Sequence, residues 1–144
     1  MPEASAAPVN VLLLEPETLL RRTVSLTARS LGIARVHEAA TQALALRLIK
    51  AHAFHGAVIA IDPQPGAAGL LPLDLVDELR RGDSASKPSI PIAVMVEKCD
   101  ASLLMALRER GISRIILKPF RARILLDTFA EFGAAQGAQQ PPAH

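Results

Sequence analysis

Five short runs constrain the fold of this chain more than any other feature: VNVLLL at 9–14, RVHEA at 35–39, AVIAID at 57–62, IAVMV at 92–96 and RIIL at 114–117. Four are almost continuously apolar and rich in β-branched residues, the signature of strands buried on both faces, and the mixed RVHEA suits an edge or near-edge strand. Each is followed by an amphipathic stretch of helical period. Thr18–Leu31 places Leu20, Val24, Thr27 and Leu31 on one side, and Gln42–Ala51 follows Thr41 as N-cap with Leu44, Leu48 and Ala51 on one face. Leu73–Arg81 turns Leu75, Val76 and Leu79 inward, Ser102–Arg110 stops at Gly111, and Arg121–Phe132 carries Ile124, Leu125, Thr128 and Phe132 along one stripe. Five strands alternating with five helices predict an α/β domain: a five-stranded parallel sheet, doubly wound, with helices on both faces.

At 144 residues there is one core's worth of chain. Residues 1–8 are Ala- and Pro-rich and read as a disordered leader, 9–132 as the folded domain, and 133–144 (Ala, Gln, Gly, Pro) as a flexible tail. A net charge of +2, four Phe and no Trp or Tyr give neither the electrostatic footprint nor the stacking surface of a nucleic-acid binder. No run approaches the ~20 apolar residues of a membrane span. The N-terminus, with Glu3 and no basic region, is not a signal peptide. The one cysteine, Cys99, excludes an intrachain disulfide, and a cytoplasmic location is expected.

The AVIAID run delivers a carboxylate, Asp62, at the C-terminal end of a central strand, and Pro63 stops the strand there. Open α/β sheets bind ligands at those ends. Glu15 closes the first strand and Lys118 the fifth, and a strand order that makes strands one and three neighbours sets Glu15 beside Asp62. Two carboxylates and a lysine at one sheet edge suit phosphoryl transfer: one carboxylate as nucleophile, the other helping to hold Mg²⁺, the lysine pairing with phosphoryl oxygens. The plain structural alternative is that Glu15 and Asp62 close strand ends and Lys118 pairs with one of them.

Other candidates are weaker. His37, His52 and His55 have no compact metal-site spacing, and read as exposed or helix-end histidines. Cys99 has no resolving partner nearby and reads as a loop cysteine. Gly66 and Gly69 are too sparse for a nucleotide fingerprint, and no G-x-S-x-G elbow is present, so the chain is not expected to be an enzyme.

VLLLEPETLLRR, AVIAID and ILKPF, in that order and spacing, resemble the first strand and acidic pocket, the phosphoacceptor strand and the lysine–proline signature of response-regulator receiver domains of two-component signalling. The resemblance runs from Val9 to Phe132. It implies the flavodoxin-like (βα)₅ fold with strand order 2-1-3-4-5. Asp62 would then accept a phosphoryl group from a histidine kinase or phosphotransfer protein, and Lys118 would contact that group ahead of a cis bond to Pro119. Glu15 and Asp62 would hold Mg²⁺, and output would pass through protein contacts.

The departures from the family pattern are equally specific. The second acidic position is Pro16, which has no carboxylate; the hydroxyl at the end of strand four is Val96, with Glu97 where a small residue is usual; and the strand-five aromatic is Ile115. Pro16 weakens the metal site, while Val96 and Ile115 remove the pair whose movement reports phosphorylation. The second expectation is therefore a phosphorylation-independent receiver-fold scaffold. For either reading, the basic Ser102–Phe132 face (Arg108, Arg110, Arg114, Lys118, Arg121, Arg123) is the expected contact for an effector or a second copy.

Overall fold

The computed structural model describes residues 8–62 and 71–139. Its elements are β1 (Val9–Leu14), α1 (Thr18–Ser30), β2 (Ala34–Ala39), α2 (Gln42–Ala51), β3 (Gly56–Ala60), α3 (Asp74–Arg81), β4 (Ile92–Val96), α4 (Ala101–Glu109), β5 (Arg114–Leu117) and α5 (Ala122–Gln139). The five strands form one sheet in the order β2-β1-β3-β4-β5, and every pairing is parallel. The order expected from the family likeness is therefore the observed one. Among the described residues no helix is long and apolar enough to cross a membrane.

Strand alternation sorts the core into two layers. Leu12, Leu14, Ile59, Ile61, Val94 and Val96 face α2, α3 and α4, where they meet Ile49, Leu75, Leu79 and Leu107. The alternate residues Val11, Leu13, Val58, Met95 and Ile116 face the other way, against Val24 and Ala28 of α1 and Leu125, Phe129 and Phe132 of α5. Gly56 opens β3 where a β-carbon would overlap the Phe132 ring, so α5 seats only because that position has no side chain.

Two inward faces differ from their periodic expectation. In α1 the buried positions are Val24, Ser25 and Ala28, while Leu31 is 62% exposed. In α2 they are Ala45 and Ile49, with Leu44 turned outward. Each helix places an alanine (Ala28, Ala45) beside one branched residue (Val24, Ile49) in the core, and that leaves Leu31 and Leu44 at the flank. The inward set of α3, Leu75, Val76 and Leu79, is as expected.

The last helix continues past Phe132, so the segment read as tail is helical to Gln139. Ala134, Ala135 and Ala138 are strong helix formers, and an interior glycine costs only about 1 kcal/mol against alanine. The leader, residues 1–7, and the end of the tail, 140–144, lie outside the described residues.

Arg80 ties three segments together. Its guanidinium donates to the carbonyls of Arg110 (2.7 Å), Pro88 (2.7 Å), Ile90 (2.7 Å) and Gly111 (3.1 Å), joining the end of α3 to the lead-in of β4 and the end of α4. Burial draws its pKa below the ordinary arginine value. Gly82 closes α3 in the left-handed region, at φ +81°, where glycine has no β-carbon penalty.

Candidate functional site

β3 ends at Ala60 rather than Asp62, but the Ile61 N–H still donates to the Met95 carbonyl at 2.9 Å, so the ladder with β4 reaches Ile61. Ala60 pairs with Met95, and one further step sets Ile61 beside Val96. Ile61 and Val96 are both buried in the layer that faces α3 and α4. Asp62 follows one residue later and is exposed at the mouth of the strand. The loop that starts at Pro63, with Gly66 and Gly69, lies outside the described residues.

Glu15 follows β1 and is only 1% exposed. Four contacts hold it. Its N–H donates to the Ala39 carbonyl at 3.0 Å, and its own carbonyl accepts from Arg21 Nη1 at 2.8 Å. Its Oε2 accepts from the Glu17 N–H at 2.8 Å, and its Oε1 lies 3.0 Å from Lys118 Nζ. That last contact is charge pairing without the alignment of a hydrogen bond, since Oε1 accepts none. Arg21 also pairs with Glu38 at 3.2 Å, so it fastens the pocket to β2.

Lys118 follows β5 and its N–H donates to the Val96 carbonyl at 2.8 Å; the bond to Pro119 is cis, as the family likeness implies. β1 and β5 are three strand spacings apart in the sheet, each about 4.8 Å. The Glu15–Lys118 pair therefore lies across the carboxyl ends of β3 and β4. The expectation that Lys118 pairs with a strand-end carboxylate is met by Glu15.

Mg²⁺ takes about six oxygen ligands in near-octahedral geometry, mostly carboxylates and waters. Among the described residues no three His, Cys, Asp or Glu side chains gather as a metal set. Pro16 supplies no oxygen from its side chain, and an ammonium stands at the Glu15 oxygen that a cation would need. The donor set does not fit Mg²⁺.

Val96 and Ile115 both belong to the layer beneath α3 and α4, Val96 buried and Ile115 packed against it. Neither carries a polar atom on its side chain. Of the six basic residues on the Ser102–Phe132 face, three are used inside the domain: Arg110 with Asp77 (2.6 Å), Arg114 with Glu131 (2.9 Å) and Lys118 with Glu15. Arg108, Arg121 and Arg123 remain exposed, together with Met105 and Leu117, at 64% and 56% exposure.

Among the described residues the histidines form no metal set. His55 Nδ1 accepts from the Asn10 N–H at 2.9 Å and its own N–H donates to the Asn10 carbonyl at 2.8 Å, joining β1 to the start of β3. His37 and His52 rings sit 4.9 Å apart, and His37 meets Phe54 edge-on at 5.2 Å. Burial first, then the His52 and Arg35 charges, draw the His37 pKa below its ordinary value. Cys99 is half-buried against the layer of α3 and α4.

Sequence reading missed two features of this edge. Arg21 as a second clamp on Glu15 was visible only as one of two adjacent arginines, and a cavity between α3 and α4 left no signal in the chain.

No model of a known protein family matches this sequence, and no curated protein does. Solved structures match over nearly the whole fold. A CheY-like response regulator receiver domain protein from Methanospirillum hungatei is 17% identical with a TM-score of 0.76, covering 92% of this chain and 99% of that one. The Vibrio cholerae chemotaxis protein CheY4 is 21% identical with a TM-score of 0.71, covering 88% and 99%. The non-phosphorylated HemR receiver domain from Leptospira biflexa is 19% identical with a TM-score of 0.70, covering 95% and 98%. The chain has the response-regulator receiver fold.

Proposed function

We propose that this chain is a receiver-fold signalling module of the two-component type that works through protein contacts without being phosphorylated. The observation that carries the reading is the charge arrangement at the carboxyl edge of the sheet. Lys118 lies 3.0 Å from a Glu15 carboxylate that is 1% exposed, and Pro16 stands where a receiver has its second acidic residue. A phosphoryl group on Asp62 would bring close to two negative charges, while among the described residues no metal set gathers at this edge and Lys118 is already paired with Glu15. Val96 also offers it no hydroxyl. The contact surface in this reading is the side formed by α4, β5 and α5, where Met105 and Leu117 lie among Arg108, Arg121 and Arg123; it suits an effector protein with an acidic rim or a second copy of the chain.

Asp62, exposed at the mouth of β3, favours the other reading, phosphoryl transfer to Asp62 from a histidine kinase or phosphotransfer protein. Incubation with Mg²⁺ and acetyl phosphate, followed by intact-mass measurement beside Asp62→Asn, separates the two. The expected result is no phosphoryl adduct on either protein. A phosphoryl adduct on the wild type that is lost in Asp62→Asn overturns the proposal.

A further inference from the structure

A cavity of about 850 Å³ opens at the carboxyl ends of β3 and β4, between the start of α3 and the length of α4. That volume lies within the roughly 300–1,000 Å³ range of small-molecule sites. Its apolar lining comes from Ile61, Val96, Leu73, Leu103 and Ala106. Val96 is the position at which the receiver pattern places a hydroxyl. Here it joins Ile61 in giving hydrocarbon to a concave surface.

The charged part of the lining is unbalanced. Asp74, Asp77, Glu97 and Asp100 stand against Lys98 and Arg110. Arg110 is spent on Asp77, at 2.6 Å. Asp100 caps α4 through the Leu103 N–H at 2.8 Å, and Asp74 accepts from the Leu71 N–H at 2.7 Å, but both keep their negative charge. Glu97 is exposed at the end of β4, one residue beyond Val96.

An apolar floor under a net negative rim selects an apolar body carrying a positive head. We propose that this cavity binds a small amphipathic amine, its hydrocarbon against Ile61, Val96 and Leu103 and its ammonium group at Glu97. The inference deepens the reading of a phosphorylation-independent module and rests on it, since it gives the same sheet edge a ligand in place of a phosphoryl group.

The test uses the full chain and a neutral fluorescent probe, N-phenyl-1-naphthylamine, displaced by octylamine or by octanoate. Saturable probe binding at one site is expected, with octylamine displacing the probe at a concentration lower by about tenfold or more than octanoate needs. Ala106→Leu, which fills the cavity from α4, weakens probe binding by about tenfold while circular dichroism and the thermal midpoint verify the fold. Glu97→Lys, at an exposed position that leaves the core untouched, abolishes the preference for the amine. Absence of saturable binding, equal displacement by amine and carboxylate, or a folded Ala106→Leu protein that binds the probe as the wild type does overturns the proposal. A phosphoryl adduct on Asp62 in a protein that still binds the probe overturns phosphorylation independence alone; no adduct and no probe binding overturns the cavity alone.

Discussion

Replacing Lys118 with methionine measures how far the domain relies on the closed Glu15–Lys118 pair. Methionine keeps the length and most of the hydrocarbon of lysine but leaves the Glu15 carboxylate, 1% exposed, without its counter-charge. Breaking a fully buried pair costs about 3–5 kcal/mol, because the remaining ion is stranded in a medium that solvates it poorly. Lys118 keeps 29% exposure, so part of its attraction is already screened, and Glu15 Oε2 retains its bond from the Glu17 N–H. About 2–3 kcal/mol is the resulting expectation. A chain of this length unfolds with an entropy of about 0.3 kcal/mol/K, so the thermal midpoint falls by about 7–10 °C. The reverse truncation behaves differently. Glu15→Gln leaves an ammonium that can turn toward water, and should cost about 1 kcal/mol, or about 3 °C. Scanning calorimetry of both variants and the double variant completes a cycle, with the double variant expected to lose less than the sum. The asymmetry is the diagnostic. If Lys118→Met costs no more than Glu15→Gln, the carboxylate is not stranded and the argument from burial fails.

Two further outcomes rest on other parts of the fold. Gly56→Ala drives a methyl group into the Phe132 ring and should lower stability by about 1–3 kcal/mol, read as a reduced urea midpoint at unchanged slope; adding Phe132→Leu should recover part of the loss, and a neutral Gly56→Ala would refute the close approach. His37 has a folded pKa below its ordinary 6.5, so the unfolded chain binds more protons in the window beneath 6.5. Stability should therefore fall as pH drops below about 6.5 and level off below the folded value, and His37→Gln should flatten that part of the urea-midpoint profile.

The strands were legible because burial on both faces leaves little room for polar residues, as AVIAI and IAVMV show directly, whereas their order followed from the resemblance to receiver domains. The helical faces were less so. Leu44 and Leu31 fit an apolar stripe as well as Ala45 and Ala28 do, and only the distance between helix and sheet decides which residue fills the gap. The continuation of α5 was hidden by Gly133, which reads as a stop although an alanine-rich run carries the helix through it. At the site, Glu15 and Lys118 could be placed at one edge from strand order alone. Their mutual contact was one of two pairings that the spacing allowed. The end of β3 was harder to read, because AVIAID offers no mark that says where its regular ladder with β4 stops.

Pro16 and Val96 depart from the receiver pattern at the same sheet edge, and their consequences differ in kind. Adjacent carboxylates repel one another, and a divalent cation relieves the repulsion. With proline at position 16, the buried Glu15 needs only one ammonium to balance it, and Lys118 supplies that ammonium. The ammonium that balances Glu15 thus stands at an oxygen that a metal would need. An acyl phosphate on Asp62 would carry close to two negative charges where an unmodified carboxylate carries one. Two unit charges about 4 Å apart interact by about 4 kcal/mol at an effective dielectric constant near 20, so each unit left unopposed is a heavy load. Drawing Lys118 to the phosphoryl group would strand Glu15, and Glu97, one residue beyond Val96, adds to the negative field. A hydroxyl at position 96 supplies a hydrogen bond but no charge. Val96→Thr alone should therefore leave Asp62 unmodified by acetyl phosphate and Mg²⁺, whereas Pro16→Asp, which restores a second metal carboxylate, should permit an adduct that intact mass detects and Asp62→Asn removes. An adduct on Val96→Thr, with none on Pro16→Asp, would show that hydrogen bonding rather than charge limits the acceptor, and the electrostatic account would fail.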